Sequence, residues 1–104
     1  MASVKIDPGI CGFQTQVKAE SLENYKVSLS IESDCPDIQN LAENLTEVDA
    51  FSEISFRRGI PETLQKGQKH CAHASCPVPV GIIKAIEVAA GLALPQNVTI
   101  EIEK

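Results

Sequence analysis

Four cysteines stand in this chain, and each has proline, glycine or histidine in its immediate motif. Cys11 lies in Asp7-Pro8-Gly9-Ile10-Cys11-Gly12. Cys35 lies in Asp34-Cys35-Pro36, Cys71 in His70-Cys71-Ala72-His73, and Cys76 in Ser75-Cys76-Pro77. Thiolates bind soft metals, exchange disulfides or attack electrophiles. Proline is favoured at the first helical position, so Cys35 and Cys76 are expected as N-caps, each opening a helix. The unpaired N–H groups and positive dipole end of a helix favour an anion there. Two of the four thiols are therefore expected to ionise readily. Gly9, Gly12 and Gly81 allow close backbone approach nearby.

His70 and His73 bracket Cys71, and His73 lies within the span from Cys71 to Cys76, so it joins the four cysteines as a candidate metal ligand or supporting donor. Ser75 has no base in the sequence unless His73 serves, and a Ser/His or Cys/His nucleophile rests on proximity alone. Glu43, Glu47 and Asp49 read as a solvated face. No GxGxxG, P-loop or HExxH motif is present, so no catalytic constellation is identified. The plainer reading of any single cysteine is a small buried hydrophobe. Four of them at the ends of elements make a stronger case for metal or redox chemistry.

The elements that must carry these residues are legible from periodicity. Val4 and Ile6 begin one alternating segment. Phe13, Val17 and Ala19 mark a second, Val27, Leu29 and Ile31 a third, and Val98, Ile100 and Ile102 a last. Alternation of this kind predicts strands with one wet and one buried face, as in an antiparallel sheet. A short turn around Leu22-Glu23-Asn24 predicts a hairpin between the second and third. Ile38, Leu41, Ala42, Leu45 and Val48 share one helix face. A second helix is expected from Pro77 or Pro79 to Ala90, capped by Gly91 and stopped by Pro95. Between them, a helical turn near Pro61–Leu64 and a loop over residues 67–75 are expected. The order β-β-β-α-(α)-α-β, with helices on one face of a small antiparallel sheet, is a two-layer α+β sandwich.

At 104 residues the chain has the length of one domain, 1–104, large enough to bury a core without metal or disulfide staples. An apolar share of 43 % with 22 % charged argues against disorder. With Phe13, Tyr25, Phe51 and Phe56 as the aromatics and no tryptophan, the core must be aliphatic. The net charge of −5 disfavours nucleic acid and anionic membrane surfaces as partners. The N-terminus lacks an apolar signal core, and the apolar stretch Val78 to Leu94 is broken by Lys84 and Glu87. A cytoplasmic location is expected. The Asn44 and Asn97 sequons are then idle, and free cysteines in a reducing compartment favour metal binding or reactivity over disulfides.

The order Cys…Cys-Pro…Cys…Ser-Cys-Pro before an apolar helix resembles the small four-cysteine domains named for a Thr-Ser-Cys-Pro-Asp motif. The likeness runs loosely from Cys11 to Ala90. This chain has Ala74-Ser75-Cys76-Pro77-Val78 in place of the full motif, and a shorter gap between its last two cysteines. The resemblance implies metal binding through Cys11, Cys35, Cys71 and Cys76. In outline only, the chain is similar to iron–sulfur cluster scaffold proteins, whose Cys-Gly-Asp motif is absent because Phe13 follows Cys11-Gly12.

The leading expectation is a metal-binding module holding an iron–sulfur cluster or zinc. Only Cys71-x4-Cys76 is short enough for a zinc knuckle, whereas clusters accept dispersed cysteines, which tilts the choice toward iron–sulfur. The alternatives are a thiol redox protein, and a non-catalytic interaction domain with buried cysteines. An open sheet edge would allow a protein partner or a homodimer.

Overall fold

The computed structural model describes residues 1–104. The alternating segments do pair as antiparallel strands, β1 (Ala2–Ile6), β2 (Thr15–Ser21) and β3 (Lys26–Ser33), and β4 (Glu47–Asp49) completes the sheet in the order β1-β2-β3-β4. The register sets Val4 beside Val17 and Val17 beside Ile31, so the apolar members of each strand share one face. Val17, Ala19, Val27 and Leu29 are buried, while Lys18, Glu20, Ser30 and Glu32 meet solvent on the other face.

The helices are α1 (Pro36–Glu43), α2 (Ala50–Glu53), α3 (Glu62–His70) and α4 (Val78–Ala89). Helix α4 lies across β1 and β2, α1 lies over β3, and α3 touches both helices. Ile38, Leu41, Leu45, Val78, Ile82, Ala85 and Ile86 close the aliphatic core against the sheet. Each large member contributes about 1.5–3 kcal/mol by leaving water. The architecture is the two-layer α+β sandwich, with its helices on one face. No helix is long and apolar enough to cross a membrane.

Backbone geometry explains the junctions. At the β2–β3 hairpin the Leu22 N–H donates to the Lys26 carbonyl at 2.7 Å. Asn24 and Tyr25 both take positive φ, 58° and 57°. Asparagine tolerates that region, and the Tyr25 ring is held against Phe51 at 4.6 Å between centroids. Helix α4 ends at Ala89 with Ala90 as its cap, one residue before the expected end, and Gly91 follows with a φ of 74°, the Gly91 N–H donating to the Val88 carbonyl and the Leu92 N–H to that of Glu87.

Four expectations need correction. The first helix stops at Glu43, where Asn44 leaves helical geometry, and Val48 belongs to β4 instead of the helix face. The second strand starts at Thr15, whose buried hydroxyl donates to Ser33 Oγ, and leaves Phe13 exposed. The expected loop over 67–75 is helical as far as His70. Gly67 tolerates the helix interior because it lies against Pro79, where a Cβ would come within 2.9 Å of Pro79 Cγ. Finally, Val98–Ile102 is not a strand of this sheet. The fourth place is taken by β4, and the chain from Pro95 onward is exposed and without regular structure.

Buried Glu53 organises the connection. Its carboxylate accepts from the Glu62 N–H at 2.9 Å, the Thr63 N–H at 2.8 Å and the Thr63 hydroxyl. It thereby caps α3 from the preceding element, supplying the acceptor that Pro61 at the N-cap cannot.

Candidate functional site

The strand ends and helix starts bring the cysteines to one end of the sheet. Ile6 ends β1 opposite Thr15, and Thr15 lies opposite Ser33 at the end of β3. The β1–β2 turn and the β3–α1 junction are therefore neighbours, joined by the Asp34 N–H donating to the Gln14 carbonyl at 3.4 Å. Cys11 occupies that turn and is exposed. Gly9 and Gly12 close the turn with φ of 87° and 73°, the Gly12 N–H donating to the Gly9 carbonyl at 3.0 Å.

Cys35 is the N-cap of α1, as its Cys-Pro motif predicts, with Pro36 at the first helical position. Its own N–H donates to Ser33 Oγ at 3.1 Å. Cys71 caps the other end of a helix: it follows α3, and its N–H donates to the Gly67 carbonyl at 2.8 Å. Cys76 is not an N-cap. Pro77 fills that position and α4 starts at Val78, so Cys76 sits one residue outside, its N–H donating to the His73 carbonyl at 3.3 Å. Pro77 disfavours helical geometry at the residue before it, which is Cys76.

Cys35, Cys71 and Cys76 are each half-buried and packed against the same core. The loop carrying two of them is tied to the third by Asp37, whose Oδ2 accepts from the Ala72 N–H at 3.2 Å. The electrostatic result falls on Cys71. Burial pushes its thiol up from 9.0 to about 11, helped by the charge and hydrogen bonding of Cys76 and by the charges of Asp37 and Cys35. The sequence leads one to expect thiols lowered by helix N-termini. The displaced thiol is instead the one at a helix C-terminus, and it moves upward. Acidic groups have been collected around it, and every influence on it favours retention of its proton.

The structure thus draws together Cys35, Cys71 and Cys76. Cys11 stands on its exposed turn, and His73 is exposed, its carbonyl engaged by Cys76. No group of three or more His, Cys, Asp or Glu side chains is close enough together to hold a metal ion as the chain stands. Asp37 is the participant that sequence reasoning passed over. Its place two residues after Cys35 was the available signal, although an acid in the first turn of a helix ordinarily serves the dipole alone. At the far end of β3, about 23 Å away by strand rise, a hollow of roughly 340 Å³ is lined by Lys26, Asp49, Glu53, Arg58 and Glu62. Its charges are mixed, with Lys26 and Asp49 4.0 Å apart, and it contains none of the cysteines.

The chain belongs to a family of unknown function, DUF6951, whose model matches residues 2–102. No curated protein and no solved structure matches it.

Proposed function

We propose that this member of DUF6951 is a cytoplasmic thiolate metal-binding module whose ligands include Cys35, Cys71 and Cys76. One observation carries the reading: three cysteines from two stretches of chain, the β3–α1 junction and the α3–α4 loop, come near one another beside Asp37. Cys71 resists ionisation because it is buried beside Cys76, Asp37 and Cys35, and a soft cation would relieve that repulsion by taking the place of its proton. The donor types fit such a group. Their arrangement requires the fourth ligand to be drawn in, from Cys11 on its glycine-bounded turn or from His73. Ligands spread over several segments favour an iron–sulfur cluster ahead of zinc. Such a cluster would supply electron transfer or sulfur chemistry; zinc would supply a structural or Lewis-acid centre.

Titration of the reduced full-length protein with cobalt(II) tests the donor set. Intense sulfur-to-metal absorption is expected near one equivalent, with Cys35→Ser, Cys71→Ser and Cys76→Ser each weakening it. Loss of signal only on changing Cys11 would place the site elsewhere, and a silent titration would reject it.

A second reading draws on the closeness of Cys71 and Cys76. Cys76 is near enough to Cys71 to act on it through charge and a hydrogen bond, and a disulfide-bearing oxidant would take two electrons and two protons from the pair, its own disulfide becoming two thiols as their S–S bond forms. Thiol counts before and after reductant separate the readings. Two thiols gained on reduction favour the couple, and four throughout reject it.

A further inference from the structure

Val98, Ile100 and Ile102 are 63 %, 77 % and 89 % exposed. They alternate with Thr99, Glu101 and Glu103, so that in an extended conformation one side of the segment would be apolar and the other polar. Nothing in the chain covers that apolar side. The molecule is correspondingly long, 42 Å against 27 and 25 Å across. A strand-like segment of this composition is a pairing unit waiting for an edge.

The sheet has such an edge. β1 pairs with β2 on one side only, and its other side is open. The buried face is also unfinished there. Val17 and Val27 are 0 % exposed, whereas Val4, opposite Val17, remains half-exposed. Both β1 and Val98–Ile102 are five residues long.

We propose that Val98–Ile102 of one chain adds as a strand to the β1 edge of a second copy, with reciprocal exchange giving a two-fold symmetric dimer. In parallel register Val98, Ile100 and Ile102 lie beside Ala2, Val4 and Ile6 and extend the apolar face. Thr99 and Glu101 then lie beside Ser3 and Lys5 on the wet face, pairing opposite charges directly. The exchange is reciprocal, because each copy brings an open β1 edge and one free segment, and it closes at two copies. The inference is independent of any metal.

Light scattering and sedimentation on the full-length protein test it. The native chain is expected to be dimeric at micromolar concentration. Ile100→Asp should raise the dimer dissociation constant on the order of a thousandfold, since each copy loses one buried isoleucine. Its helical circular dichroism and unfolding midpoint as a monomer should be unchanged, because Ile100 lies outside the core. Lys5→Glu should weaken the dimer a few-fold, and adding Glu101→Lys should restore it. In a mixture of differently isotope-labelled chains, nuclear Overhauser contacts between Val4 and Ile100 should run between chains. A monomeric native chain, a dimer indifferent to Ile100→Asp, or Val4–Ile100 contacts only within one chain would each overturn the proposal.

Discussion

Cys71 should be an unusually slow thiol. Its ionisation is displaced from 9.0 to about 11. At pH 8 that leaves about a hundredfold less thiolate than the same cysteine holds in an unfolded chain. Nucleophilicity partly offsets the loss. A thiolate of higher pKa attacks faster, with a Brønsted slope of about 0.4–0.5, so two pH units return roughly eightfold. The net expectation is alkylation about tenfold slower than in the unfolded chain, with half-burial slowing it further. The assay is timed iodoacetamide labelling at pH 8 with chelator and reductant present, quenched and read peptide by peptide, with a urea-unfolded sample as reference. Cys76→Ser removes the next-largest influences on Cys71 after burial. It should speed Cys71 labelling several-fold while the fold persists. If folded Cys71 labels at the unfolded rate, or if Cys76→Ser leaves its rate unchanged, the clustering of thiols argued above is wrong.

The same thiol makes stability fall at high pH. Below pH 9 it is protonated whether the chain is folded or not, and its contribution is fully present. Between 9 and 11 the unfolded chain releases the proton that the folded chain keeps, so unfolding becomes easier as pH rises through that window. Because the group is only half-buried, the loss should be about 1 kcal/mol, read as the difference in denaturation midpoint between the native chain and Cys71→Ala from pH 8 to 11. Glu53→Gln should destabilise by about 2–4 kcal/mol, since a neutral amide replaces a carboxylate that accepts three hydrogen bonds. A change below 0.5 kcal/mol by urea unfolding would contradict the capping role (about the scatter of surface substitutions). Gly81→Ala should cost about 1–3 kcal/mol, because the added methyl would meet the Ile6 side chain where α4 crosses β1. Thermal unfolding would show it, and an unchanged midpoint would mean that α4 sits farther from the sheet.

Periodicity carried the fold where an element buries one face along its whole length. Val27, Leu29 and Ile31 announce β3, and Ile82 and Ile86 announce α4. It failed where tertiary contacts decide. β4 spans three residues, too few for any period, and Val48 happens to fall on the phase of the preceding helix. Helix α3 carries Gly67 in its middle, a poor helix former. It stands because Pro79 packs on that glycine and Glu53 caps its start from another segment. The last strand was legible as amphipathic chain, but alternation reports which side wants covering and not what covers it.

The site divides along the same line. Flanking proline, glycine and histidine placed the cysteines at element ends, and Cys35 occupies the N-cap its motif specifies. Which sulfurs would meet was not legible, because that depends on how α3 and α4 dock. Cys76 missed its cap because Pro77 itself occupies that position, and Cys71, with no helix start beside it, became the perturbed thiol.

The metal-binding claim meets its most direct test in the iron, sulfide and zinc content of full-length protein purified without oxygen. The account expects close to stoichiometric metal or cluster per chain, falling away in Cys35→Ser, Cys71→Ser and Cys76→Ser. Metal-free protein that takes up none on reconstitution, with all its thiols titrating, would contradict it.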